Sequence, residues 1–217
     1  MSASPTAGHR RDRRTRLSPD DRRAQLVALG VAALADHELD DLTFEEFSAR
    51  AGVSRALFSH YFGSRSGFHL AVLEAATRSM LSATAPDDAL PAAARLSDTL
   101  VRTVEFVRAH RGIFFSLVRG PASGDARTRA LVEDARVAQT ARVLTLFAEA
   151  GVVPSPALRI VVRAWVAFVE QTLVDAALAS DLPTDEIVAL LVTCLHAVTE
   201  RTQPGAECAL FDPEEER

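Results

Sequence analysis

Arg55, Ala56 and Leu57 stand in a row directly after Ser54, at the head of a short amphipathic stretch that ends at Phe62. Serine is a preferred helix cap, and Phe58 and Phe62 at i and i+4 share one helical face. The spacing therefore predicts a helix whose aromatic side turns inward, with Ala56, Leu57 and His60 largely on the opposite face. Periodicity puts Arg55 partly on the Phe58 side, so it reaches outward from the helix tip. An arginine at such a tip can donate two parallel hydrogen bonds to guanine, and Ala56 and Leu57 can touch a thymine methyl. Thr43, His60, Tyr61 and Arg65 are types suited to phosphate contacts, which fix register rather than sequence. The chemistry indicated is the reading of double-stranded DNA.

The elements that must hold these residues are visible in the same region. Thr43 and Glu46 have the spacing of a capping box, and Phe44 and Phe47 are spaced to face inward, which predicts a first helix running out near Arg50. Gly52 suits a left-handed turn, Val53 is apolar, and Ser54 opens the second helix. Helix, glycine turn and helix form the helix-turn-helix pattern, in which the second helix enters the major groove.

The segment Leu26–Phe62 resembles the DNA-binding domain of TetR-type transcriptional regulators. The residues that carry the resemblance are Leu26, Val27, Leu34, Thr43, Phe47, Ala51-Gly52-Val53-Ser54, Phe58 and Tyr61-Phe62, followed by Gly63-Ser64-Arg65. Three positions depart from the family pattern: Ser59 replaces an aromatic residue, Arg65 replaces lysine with retention of charge, and Glu38 replaces a glycine. The resemblance implies a DNA-contacting set of Thr43, Ser54, Arg55, Ala56, Leu57, Ser59, His60, Tyr61 and Arg65, with the Ser59 phosphate contact left open by the change of residue type.

Around this motif, Ser18-Pro19-Asp20-Asp21 is a helix start, with a serine cap, proline at the first position and acids in the first turn. The helix is expected to reach about Ala35, with Leu26, Val27, Gly30, Val31 and Leu34 as its apolar stripe. Residues 1–17 hold five arginines among Ser, Pro, Thr and Gly. They read as a disordered arm that either touches phosphates or the minor groove or is simply a solvated tail. A fourth helix is expected over about 65–82, with Leu70, Leu73 and Ala76 on one face, as the link to the rest of the chain.

The remainder alternates apolar-periodic segments with loops, predicting helices at about 92–109, 113–118, 125–150, 157–179 and 185–198, with His110-Arg111-Gly112 as a break. Ser155 and Pro156 can cap and open one of them. The last two are apolar on more than one face and so must be covered on several sides. A second subunit is the favoured cover, and the resemblance implies a four-helix dimer interface; burial within one domain is the alternative. The chain is read as all-α, with an N-terminal three-helix helix-turn-helix domain at 18–66, a helical ligand-binding and dimerisation domain at 67–203, and an acidic tail at 204–217 expected to fray.

Composition narrows the class of function. The chain has 217 residues, room for one or two small domains, and its 48% hydrophobic and 24% charged residues are a globular balance. None of its 24 basic residues is lysine. That excludes a Walker phosphate loop, a protein kinase and a Schiff-base enzyme. Net charge is −5, but residues 1–35 hold seven Arg against three Asp, and residues from Gly67 onward hold 14 Arg against 20 acids. A basic front and an acidic back suit a protein that meets the phosphate backbone at one end. Cys194 and Cys208 lack metal or disulfide spacing, and no signal peptide or membrane span is legible, so the expectation is a cytoplasmic protein.

The six histidines show no ligand spacing, and no nucleophile, dinucleotide or paired-carboxylate signature is present, so neither an enzyme nor a cofactor is expected. The resemblance implies a pocket for a small apolar effector in the second domain. Its candidates are Phe106, Phe114, Phe115, Trp165 and Phe168, each of which can equally be a core aromatic. Arg102, His110 and Glu170 are candidates to orient a ligand. The functional expectation is an effector-responsive repressor that binds a palindromic operator as a homodimer. The alternative is a ligand- or partner-binding helical module without sequence-specific DNA binding.

Overall fold

The computed structural model describes residues 18–34, 39, 43–118, 125–206 and 211; at 44, 46, 50 and 93 only the backbone is described. The arm at 1–17, Glu38, Cys208 and the Glu46 half of the capping box therefore lie outside the described residues. All described elements are helical, as the periodicity predicts.

Helix α1 (Pro19–Ala33) starts as its sequence dictates: Ser18 Oγ accepts the Asp21 N–H at 3.1 Å, with Pro19 in the first turn. Leu26, Val27 and Leu34 are buried. Gly30 lets α1 lie hard against a later helix, since a Cβ there would stand 2.5 Å from Val72 Cγ2 and 2.8 Å from Phe68 Cζ. Helix α2 (Phe44–Ala51) is preceded by Thr43, whose carbonyl accepts the Phe47 N–H at 3.1 Å. Gly52 turns the chain at φ +62°, and buried Val53 donates its N–H to Ser48 O at 3.1 Å. Ser54 Oγ then accepts the Leu57 N–H at 3.2 Å and opens α3 (Arg55–Phe62).

Gly63, at φ +70°, ends α3, and Ser64 caps α4 (Arg65–Ala83) by accepting the Gly67 N–H at 3.0 Å. The first turn of α4 lies against the last residue of α3: a Cβ on Gly67 would sit 2.2 Å from the Phe62 carbonyl oxygen. Only glycine fits there, so its low helix propensity is secondary. Phe47, Phe58, Phe62 and Phe68 form one aromatic core, with Phe68 4.6 Å from Phe47, 4.7 Å from Phe58 and 5.0 Å from Phe62 between ring centres. This core also takes in Leu26, Leu34, Leu39, Val72, Leu73 and Ala76.

The C-terminal part consists of α5 (Ala92–Ala109), α6 (Arg111–Val118), α7 (Ala126–Glu149), α8 (Pro156–Thr172) and α9 (Thr184–Thr202). Its core combines Leu96, Leu100, Val104, Phe147, Val162, Trp165, Leu191 and Leu195. Two details differ from the sequence expectation. The break after α5 is His110 alone, and Arg111 and Gly112 already belong to α6. The single helix expected to Ala179 changes at Leu173–Leu178 to π winding. Apolar spacing does not mark that change, because Leu173, Ala176 and Ala177 keep the ordinary three-and-four repeat. Arg111 donates to Leu178 O, and Arg108 to Leu182 O and, at 2.7 Å, to Thr184 Oγ1, so two arginines satisfy acceptors around its far end.

Helix α6 belongs to both cores. Ile113 and Leu117 pack with the N-terminal cluster, and Phe114 packs with the C-terminal one. Ser116 Oγ, also on α6, accepts the buried Leu39 N–H at 3.1 Å. In the tail, Ala206 is buried, and the Phe211 ring lies 5.1 Å from His196 and 6.4 Å from Phe147. No helix among the described residues is long and apolar enough to cross a membrane.

Candidate nucleic-acid interface and ligand cavity

The side of α3 away from Phe58 and Phe62 is exposed over Arg55, Ala56, Leu57, Ser59 and His60. Arg55, at the first helical position, projects into solvent and forms a 3.5 Å ion pair with Glu45 of α2. Both side chains are more than two-thirds exposed, so this pair is weak and easily exchanged for another partner. The helix tip thus presents a cation with two small or apolar side chains behind it. Leu57 is exposed, so its side chain is open to an outside partner.

The phosphate candidates lie at the start of α2, along the second half of α3 and at the start of α4. Thr43 is exposed at the start of α2, and Arg65 is exposed at the start of α4. Arg65 Nε donates to Nε2 of the buried His69 at 3.4 Å, which holds the guanidinium beside the first turn of α4. Helix N-termini favour anions. Tyr61 is half-buried against the aromatic core, with the exposed His60 ring 5.7 Å from its own. Ser54 caps α3, so its hydroxyl already serves the helix. Ser59 is exposed and one turn before Gly63, whose N–H bonds to its carbonyl at 2.8 Å. Sequence reasoning missed Arg23, whose guanidinium lies 5.3 Å above the Phe62 ring and ties α1 to the end of α3. No periodicity could have paired those two residues.

A second site is a cavity of about 750 Å³, mouth included, among α4, α5, α6, α7 and α8. Phe114 and Trp165 line it, with Leu96, Leu100, Val143, Leu146, Val166 and Leu173. Phe106, Phe115 and Phe168 are not brought to it. Phe106 stacks on His110 with ring centres 4.1 Å apart, while Phe115 and Phe168 face outward. Three phenylalanines on amphipathic helices could not be sorted between inside and outside by residue type alone. Of the polar candidates, Glu170 lines the cavity, whereas Arg102 is bound to Asp98 at 2.6 Å and His110 Nδ1 to Phe106 O at 2.9 Å. Arg142 and Gln139, which residue spacing did not mark, also line the cavity from α7.

Two charged groups shape this cavity. Arg136 grips Glu170 through Nε and Nη2, at 3.0 and 2.6 Å to Oε2. The bond to Glu170 raises the Arg136 pKa further above its ordinary value, against the opposing effect of burial. Arg142 behaves in the opposite way: burial, with a smaller effect of the nearby Arg102 charge, pushes its pKa down.

An all-α chain with an exposed recognition helix carried by a glycine-turn motif, and a mainly apolar cavity behind it, is a helix-turn-helix DNA-binding protein with a separate helical regulatory region. Residues 92–198 match the family described as tetracyclin repressor-like, C-terminal domain. The chain is similar to the crystal structure of a TetR-family transcriptional regulator from Streptomyces coelicolor, at 27% identity over 89% of this chain and 88% of that one, with a TM-score of 0.77. A TetR-like transcriptional regulator from Rhodococcus sp. RHA1 shares the fold at 19% identity, 83% and 96% coverage and a TM-score of 0.60. Comparison with curated proteins gives no match. Residues 92–198 therefore carry a tetracyclin repressor-like C-terminal domain, and the chain as a whole has the fold of TetR-family DNA-binding transcriptional regulators.

Proposed function

We propose that the protein is a homodimeric repressor whose DNA affinity is set by a small effector. The observation that carries the reading is the division of α6. Ile113 and Leu117 support the core beneath α3, while Phe114 forms part of the cavity wall. A ligand that repositions Phe114 displaces the support of the recognition helix. In this reading residues 18–66 read DNA, and residues 67–203 bind effector and dimerise. Arg55, Ala56 and Leu57 meet bases; Thr43, Ser54, Ser59, His60, Tyr61 and Arg65 meet or position phosphates.

The dimer surface is assigned to the outer faces of α8 and α9. Ile160 is 69% exposed, Leu190 50% and Phe168 39%, a large apolar exposure for helices that are also buried on their inner side. Two copies paired there would place their α3 helices on two half-sites of a roughly palindromic operator, about one helical turn or a multiple apart. The effector works only if it prefers one of two dimer spacings. The test is fluorescence anisotropy on DNA upstream of the gene and on a scrambled duplex, at several salt concentrations. Selective binding to a symmetric site supports the reading; equal, salt-labile binding to every duplex, including a selected random pool, overturns it.

A further inference from the structure

Arg142 is a cation at the wall of an apolar cavity, and it has no carboxylate partner among the described residues. Its bonds go to neutral acceptors. Nη1 donates to Thr84 O at 3.2 Å and to Gln139 Oε1 at 3.3 Å, and Nη2 donates to Leu81 O at 2.6 Å. These bonds leave Nε–H and one Nη2 hydrogen without a partner among the described residues. The same Nε and Nη2 edge is the one Arg136 uses on the Glu170 carboxylate in this protein.

The charge balance of the cavity is positive. Glu170 also lines it, but Arg136 already holds both Glu170 oxygens, at 3.1 Å for Oε1 and 3.0 Å for Oε2. Arg102, beside Arg142, is balanced by Asp98 at 2.6 Å. Among the described residues, the uncompensated charge of the lining is therefore Arg142. The walls from α5 and α8 are mainly apolar, with Leu96, Leu100, Trp165 and Val166, and carry the neutral hydroxyls of Thr99 and Thr103. A partly desolvated guanidinium with N–H donors on Nε and Nη2 to spare is matched by a planar anion with two oxygens.

Resting on the reading of this cavity as the effector site, we infer that its ligand class is a small organic acid, with an apolar body packed against Trp165 and a carboxylate held in two parallel bonds by Arg142. This narrows the expectation of a merely apolar effector. It also disfavours cationic ligands, which would face Arg142 with Glu170 already held by Arg136.

Trp165 is the single tryptophan of the chain, and its Nε1 is fixed by a 3.0 Å bond to Leu191 O, so its emission reports on the cavity directly. The full-length protein is titrated at neutral pH with octanoate, octanamide and octylammonium, which share one chain and differ in charge. Octanoate is expected to bind at least about tenfold more tightly than octanamide, the lower bound for a bidentate ion pair partly screened by solvent, and octylammonium least. Arg142→Gln should abolish the preference for octanoate over octanamide, while Arg142→Lys keeps a preference for the acid. An unchanged helical spectrum and melting profile show that each variant is folded. Equal binding of octanoate and octanamide by the wild type, undiminished octanoate binding by Arg142→Gln, or no response to octanoate at millimolar concentration each overturns the inference. DNA affinity is followed in the same samples. Arg142-dependent octanoate binding without any change in DNA affinity upholds acid recognition and overturns the effector-controlled repressor. Release of DNA by octanamide as effectively as by octanoate does the reverse.

Discussion

Ile113 and Phe114 are neighbours in α6, yet they are buried in different cores: Ile113 beneath the helix-turn-helix and Phe114 at the ligand cavity. A one-residue step on a helix turns the side chain by about 100°, and α6 uses that step to touch both halves of the molecule. Coupling between the cavity and α3 then needs no long relay. Ile113→Val should cost about 0.5–1.5 kcal/mol of stability, read as a lower melting temperature. It should leave octanoate affinity at Trp165 unchanged while shrinking the difference in DNA affinity with and without octanoate. An unchanged difference would remove α6 from the coupling.

Arg55 and Arg65 are expected to fail differently. Arg55→Ala should cost about 1–3 kcal/mol on the operator and relax one base position, and Arg65→Ala should weaken all sequences alike and reduce the salt slope by about one. The check is anisotropy on the operator, on single-base variants and on random DNA. Equal losses everywhere for both would overturn the division into base and phosphate contacts.

The close approach of α4 to the end of α3 makes a sharp stability prediction. Gly67→Ala places a methyl 2.2 Å from a backbone oxygen, which no side-chain rotation can relieve. Its cost should be about 1–3 kcal/mol despite the better helix propensity of alanine. A thermal melt showing a neutral or stabilising effect would mean that α4 sits farther from Phe62 than described.

Most of the N-terminal architecture was legible because its signals are local. Ser18, Ser54 and Ser64 each accept an N–H from the first turn of the helix they open, Gly52 and Gly63 each take positive φ, and Phe58 and Phe62 face inward as their spacing requires. The cavity was less legible because it is made by five helices. Periodicity buries Trp165 and Phe114 but cannot say that they meet, and it cannot tell Phe168, on an outer face, from Trp165 three residues earlier on an inner one. Nothing in the spacing of α7 singled out Arg142. Its place is visible only once Thr84, Leu81 and Gln139 are found to hold it. The π winding of Leu173–Leu178 left no trace in residue type.

The outer apolar face of α8 and α9 predicts the oligomeric state. The wild type should sediment as a dimer at micromolar concentration. Ile160→Asp, at a position already 69% exposed, should yield a folded monomer with an unchanged helical spectrum, because a charge buried in an interface is costly and the same charge in water is not. A wild type that sediments as a monomer, or a variant that stays dimeric, would place the interface elsewhere.

The most direct test of the central claim is the affinity of the full-length protein for DNA upstream of its own gene, measured by anisotropy against a scrambled duplex across a salt series. The account predicts tight binding to one symmetric site, lost from the scrambled duplex and weakened by Arg55→Ala at one base position. Weak binding, equal on both duplexes and on sites selected from random sequence, and insensitive to Arg55→Ala, would contradict it.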